Sequence, residues 1–260
     1  MNATGAIGIF DSGVGGTSIF KEIHQSLPLE SCIYLADSIN APYGQKSKEE
    51  IIRLSKKNTE LLIKMGCKII VVACNTATTN AITELRESFN TPIIGIEPAI
   101  KPAALSSQKK IIGILATKGT LSSELFSKTS ELYTQDVEVI EVIGKGLVEA
   151  IEAGKEYHTE TKKLLRSLLA PMLAKEIDYL VLGCSHYPYL IPLLQEILPP
   201  EVKIIDSGQA VAQQTKNILA TYRALVSKPQ NAPKFYTNKD VQLLRHFVPN
   251  PEFEVSYLDF

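Results

Sequence analysis

KIIVVACNT, Lys68 to Thr76, drives an unbroken apolar run into a cysteine and then directly into small hydrogen-bonding side chains. A run that is apolar on successive residues, not on alternate ones, suits a parallel strand covered on both faces. YLVLGCSH, Tyr179 to His186, repeats the arrangement in the second half of the chain. Each stretch reads as a buried strand that hands a thiol, Cys74 or Cys184, to the loop at its carboxyl end. In open α/β sheets that edge is where ligands bind. Two such thiols, one from each half, can face each other across one substrate and work on it from either side.

Working outward, IGIF (Ile7–Phe10), CIYLA (Cys32–Ala36), KIIVVA (Lys68–Ala73) and PIIGI (Pro92–Ile96) are predicted strands. Ser47–Met65 and Thr76–Phe89 between them carry helical periodicity, the first opened by a capping box of Ser47 and Glu50. The pattern restarts with KKIIGILA (Lys109–Ala116), VEVIEVI (Val137–Ile143), YLVLG (Tyr179–Gly183) and KIID (Lys203–Asp206). Thr159–Lys175 places Leu164, Leu165, Leu168, Leu169 and Leu173 on one helical stripe, with Met172 as core. A last helix is expected over Gly208–Leu225, then a proline-containing linker and short closing segments that include KFYT.

GIFDSGVGG is faintly echoed by GILATKGT, and VVACNT by VLGCSH. The expected architecture is therefore α/β: two similar open parallel-sheet domains related by an approximate two-fold axis, with the active site between them. The first domain is expected to be discontinuous, 1–97 plus 208–260, and the second to span 98–207.

Lys and Arg number 27 against 28 Asp and Glu in 260 residues, a balance that offers no electrostatic footprint for nucleic acid or an anionic membrane. The opening MNATGAIGIF lacks the basic and long apolar regions of a secretory signal, and no apolar run is long enough to span a bilayer. A cytoplasmic protein with reduced thiols is expected, because its four cysteines have no disulfide spacing. Neither CxxC nor HExxH occurs, so no metal site is expected.

Asp11-Ser12-Gly13-Val14-Gly15-Gly16 follows a strand and opens a helix, where free backbone N–H groups favour an anion. Its glycines suit a tight turn, but the dinucleotide fingerprint spacing is absent. Pro42-Tyr43-Gly44 has the composition of a turn. Cys32 and Cys67 read as buried core thiols. Cys74 and Cys184 differ, because each leads into polar residues at a helix start, a setting that lowers thiol pKa. His186 is placed to assist Cys184, and Asp11 to approach Cys74. Glu152, by itself, reads as a solvated helix residue, and His24, His158 and His246 as surface or structural.

Taken together and in order, FDSGVGG, APYG, ACNTAT, IEPAI, LVEAIE and LGCSHYP resemble the glutamate racemases of the aspartate/glutamate racemase superfamily across nearly the whole chain. The resemblance implies a cofactor-independent enzyme that interconverts L- and D-glutamate for peptidoglycan, commonly as a homodimer. It implies Cys184 as the base toward L-glutamate and Cys74 toward D-glutamate, with Asp11, Glu152 and His186 supporting the thiols. Substrate would be held by Asp11, Ser12, Pro42, Tyr43, Gly44, Asn75, Thr76, Thr117, Ser185 and His186. Ser185 stands where the family more often has threonine, and Thr78 where serine is usual; both keep the hydroxyl. A racemase for aspartate or hydantoins would keep the two cysteines and change the substrate loops, whereas a non-catalytic small-molecule-binding domain would use the thiols only as core.

Overall fold

Parallel strands alternate with helices through residues 4–260 of the computed structural model; the first three residues of the expected 1–97 unit lie outside the described residues. The chain begins β1 (Ala6–Asp11), α1 (Thr17–Ser26), β2 (Cys32–Ala36), α2 (Lys48–Lys64), β3 (Cys67–Val72), α3 (Asn75–Ser88) and β4 (Ile93–Gly95). It continues with α4 (Ile100–Ser106), β5 (Ile111–Ala116), α5 (Lys118–Leu121), α6 (Glu124–Tyr133), β6 (Glu138–Ile143), α7 (Leu147–Ile151), α8 (Thr159–Ala174), β7 (Tyr179–Gly183), α9 (Ile191–Ile197) and β8 (Lys203–Ile205). The closing elements are α10 (Gly208–Thr221), β9 (Lys234–Thr237), α11 (Val241–Phe247) and β10 (Glu254–Tyr257).

Two parallel sheets result, ordered β10-β9-β2-β1-β3-β4 and β6-β5-β7-β8. Within the first, β2-β1-β3-β4 has the same order as the whole of the second, so the faint sequence echo corresponds to a repeated topology. The strands read as apolar on both faces because both faces are packed. In β3, Ile69 and Val71 point into a core with Phe20 and Tyr34, while Ile70 and Val72 point into another with Ile51 and Leu54. The first of these cores runs without a break into the second half, taking in Leu115, Leu147, Leu165 and Leu182. The two halves therefore meet over apolar side chains as well as polar ones.

Local signals account for most boundaries. Ser47 Oγ accepts from the Glu50 amide at 3.3 Å and caps α2, while the Glu50 carboxylate that a full capping box would turn back to Ser47 accepts instead from Arg53 at 2.8 Å. On α8, Leu165, Leu169 and Met172 are buried and Leu164, Leu168 and Leu173 pack beside them. The last long helix stops at Thr221, not at Leu225 as the sequence led us to expect. Arg223 takes φ of 51°, and the amides of Ala224 and Arg223 turn back to the carbonyls of Leu219 and Ala220 at 2.8 and 3.0 Å. This left-handed cap ends the helix in a Schellman motif. It also aims the Ala224 carbonyl at Lys68 Nζ, 2.8 Å away, which pairs with Glu30 at 2.7 Å in the interior. Of the closing segments, KFYT forms β9, and a second strand, β10, extends the same sheet. Among the described residues no helix is long and apolar enough to cross a membrane.

Candidate active site

Each sheet reverses its winding at one strand, β1 in the first and β5 in the second, because successive connections leave that strand on opposite sides. Crevices at such switch points, outside the strands' carboxyl ends, are where open α/β sheets take ligands. β1 and β3 deliver Asp11 and Cys74 to one crevice, and β5 and β7 deliver Thr117 and Cys184 to the other. The crevices face each other, since Ser185 Oγ donates to Asp11 Oδ1 at 3.0 Å and Ser18 Oγ to the Ser185 carbonyl at 2.9 Å. The thiols themselves are buried, at 4% and 7% exposure.

Cys74 caps α3, accepting from the Ala77 amide at 3.5 Å, and its Sγ lies 3.6 Å from Ser12 Oγ. The expected lowering of its pKa is not what the geometry produces. Burial pushes the thiol well above its ordinary value, and the Asp11 carboxylate pushes it further, outweighing the Ala77 and Ser12 hydrogen bonds. Cys74 is thus a firmly held S–H. Asp11 is buried too, and its carboxyl is raised by burial, against the pull of His186 and with the push of Glu152. Its hydrogen bonds go to Ser185 and to the Gly13 amide, not to Cys74.

Cys184 has a different setting. His186 Nδ1 lies 3.8 Å from its sulfur, and His186 Nε2–H donates to Glu152 Oε1 at 2.7 Å. Glu152 closes α7 and is almost wholly buried, so the solvated reading of this residue is corrected. Its Oε1 also accepts from the Val14 amide, 2.7 Å away in the other half. The anion favoured by the DSGVGG turn is, in this structure, the protein's own Glu152 carboxylate. Burial disfavours a charged His186, but the hydrogen bonds to Cys184 and Glu152 and the charge of Asp11 overcome it. Its pKa is held well above 6.5.

A raised histidine pKa stabilises the fold fully below the unfolded value of 6.5 and ceases to do so as pH climbs through the folded value. The stability advantage of the native chain over His186→Gln, followed by urea unfolding, is expected to be level below pH 6.5 and to shrink above it. An advantage that grows with pH would contradict the charged imidazole.

Thr76 Oγ1 meets Thr117 Oγ1 at 2.8 Å and Thr120 Oγ1 at 3.3 Å, closing a hydroxyl cluster between the halves. Beside it, Asn75 is 2% exposed, yet neither its Oδ1 nor its Nδ2 has a partner. Buried polar atoms of this kind are costly unless something pairs them. Gly44 packs so tightly on Thr117 that a Cβ there would lie 2.9 Å from the threonine Cβ. The Tyr43 side chain is buried and its hydroxyl is already paired: it donates to Asp37 Oδ2 at 2.5 Å and accepts from Asn58 at 3.1 Å. Pro42 and Gly44 on either side of it line the crevice. A cavity of about 440 Å³ opens here between the halves, lined by Pro42, Gly44, Gln45, Thr117, Lys145 and Glu149. Gln45 and Glu149 bridge it at 2.6 Å.

The structure therefore gathers Asp11, Ser12, Cys74, Asn75, Thr76, Thr117, Cys184, Ser185, His186 and Glu152 around one junction. Cys32 and Cys67 are buried in the cores, and His24, His158 and His246 lie outside the junction. Sequence reading missed Thr120, although its spacing from Thr117 is that of a helix cap, and missed Asp37 and Asn58, which hold Tyr43. Among the described residues no group of three His, Cys, Asp or Glu side chains is placed to hold a metal ion.

Residues 7–215 match the family described as Asp/Glu/Hydantoin racemase. A glutamate racemase of Ectopseudomonas mendocina (strain ymp) is 45% identical over 251 residues, 96% of this chain and 95% of the relative. Among solved structures, Escherichia coli glutamate racemase in complex with L-glutamate and the activator UDP-MurNAc-ala superposes with a TM-score of 0.86. It is 32% identical, covering 98% of this chain and 97% of that one. A glutamate racemase isoform from Bacillus anthracis gives 0.85 at 30% identity, covering 100% and 98%.

Proposed function

Because the chain belongs to the Asp/Glu/hydantoin racemase family, we infer that it interconverts L- and D-glutamate and supplies D-glutamate for peptidoglycan. The observation that carries the mechanism is the placing of Cys74 and Cys184 after equivalent strands of the four-strand order that the two sheets share, at one junction. In this reading no cofactor takes part.

Inverting an α-carbon means removing its proton on one face and returning one on the other. Cys184 starts as thiolate with His186 as its imidazolium partner, and takes the Cα proton of L-glutamate. The electron pair left behind spreads into the α-carboxylate. Cys74 starts as thiol, the state its burial favours, and gives its proton to the opposite face. D-Glutamate leaves, with Cys184 now protonated and Cys74 thiolate; D-glutamate as substrate runs the same steps backwards. The transient charge has to be met by preorganised donors in a site that excludes water. Asn75, Thr76, Thr117, Ser12, Ser185 and the backbone of Pro42–Gly44 are assigned that task, and the unpaired amide of Asn75 supports it.

The same reading takes the protein as a cytoplasmic homodimer, each chain divided into 1–97 plus 208–260 and 98–207. The return of β9 and β10 to the first sheet supports that division. Incubation with L-glutamate in deuterium oxide tests the activity. D-Glutamate carrying deuterium at Cα is the expected product, and the absence of both inversion and label would remove the racemase reading.

A further inference from the structure

We propose that His246 and Glu156 form a positioning pair that holds the loop carrying Glu152, and so orients His186 beside Cys184 from outside the active site. The proposal rests on the racemase reading for its kinetic consequences, not for its geometry. His246 lies on α11, in the tail that returns to the first sheet, and its Nε2 is 2.7 Å from Glu156 Oε1 in the second half. Glu156 is 3% exposed, whereas the histidine side chain is 57% exposed. A carboxylate is costly to bury without a partner, and the second oxygen of Glu156 has none. His246 is therefore the contact that keeps this carboxylate in place.

The loop between the two carboxylates is stiff enough to transmit the constraint. The Gly154 amide bonds to the Ile151 carbonyl at 2.9 Å and the Lys155 amide to the Ala150 carbonyl at 2.9 Å. Thr161 Oγ1 closes the other side on the Lys155 carbonyl at 2.7 Å. The loop also packs on α11, since a Cβ at Gly154 would sit 3.8 Å from Leu243 Cδ1. Nearby, the Phe247 ring of α11 meets Tyr189 with centroids 4.7 Å apart, and the Tyr189 hydroxyl bonds Thr17 at 2.5 Å. The segment from Glu152 to Glu156 is thus clamped to the first half at both ends, by the Val14 amide at one and by His246 at the other. Releasing the second clamp lets Glu152, and through it His186, move relative to the Cys184 sulfur.

The test compares the native chain with His246→Ala and His246→Gln. Enantiomers have equal free energy, so kcat/KM must be the same in both directions for every variant, and isotope effects tell which barrier has risen. In His246→Ala, kcat/KM is expected to fall about tenfold, within the loss that a displaced catalytic group produces. The isotope effect with 2-deuterated L-glutamate should rise and that with 2-deuterated D-glutamate should fall, because only the Cys184 step is slowed. His246→Gln, which can still donate to Glu156, should recover most of the rate. The imidazole ¹⁵N resonances of His186 should shift in His246→Ala and return in His246→Gln, a readout that needs no turnover and separates this proposal from the racemase assignment. Unchanged His186 resonances or unchanged kcat/KM would overturn it, as would a loss in which both isotope effects move together.

Discussion

Replacing either Cys74 or Cys184 by serine is expected to lower glutamate racemisation by about 10²- to 10⁴-fold, the contribution usual for a positioned acid or base. A serine hydroxyl nearly matches the thiol in shape but is far less acidic, so neither substitution should disturb the buried packing around it. The loss should not be the same for each partial reaction. With Cys74→Ser, Cys184 can still take the proton of L-glutamate and return a solvent-derived one to the same face. Hydrogen at Cα of L-glutamate should then exchange in deuterium oxide without inversion, while D-glutamate stays inert. Cys184→Ser should show the mirror image. Near-normal turnover in either variant would rule out the two-thiol mechanism, and the same exchange pattern in both would rule out the assignment of one sulfur to each face.

Gly13→Ala and Gly15→Ala are expected to cost about 10² in kcat, the scale of loss when a catalytic group is displaced by about an ångström. A Cβ built on Gly13 would lie 1.8 Å from Glu152 Oε1, and one on Gly15 would lie 2.2 Å from His186 Nδ1. Neither glycine adopts a positive φ. What excludes a side chain is therefore the close approach of the second half, not the turn that the sequence suggested. The added methyl drives the carboxylate off the Val14 amide, or the ring off Cys184, and the acid/base pair loses its alignment. Gly66→Ala is the control. Its φ is 84° and nothing lies within 4 Å of the added atom, so it should cost about 1–2 kcal/mol of stability and leave kcat unchanged. Thermal unfolding measured beside kcat separates the two effects, and full activity in Gly13→Ala would show that Glu152 is not held as described.

Much of this is legible in the sequence. Strands apolar on both faces suit parallel strands between layers, and a polar residue just past such a strand lies at the ligand edge of a sheet; hence Asp11, Cys74 and Cys184. Family resemblance added Thr117, and Glu152, which the helical pattern alone read as solvated. The end of α10 was misjudged because a left-handed Arg223 carries no compositional signal, unlike the glycine usual at that place.

The sequence by itself determined which segments become strands and which thiols stand at their ends, because those are properties of local periodicity. Only the tertiary structure decided what surrounds those thiols and what holds them. Burial and Asp11 keep Cys74 protonated, while His186 and a carboxylate shared with the Val14 amide attend Cys184. Such differences arise from desolvation and from contacts between residues more than a hundred positions apart, as Val14 and Glu152 are. Two motifs that look alike in the chain thereby acquire different surroundings.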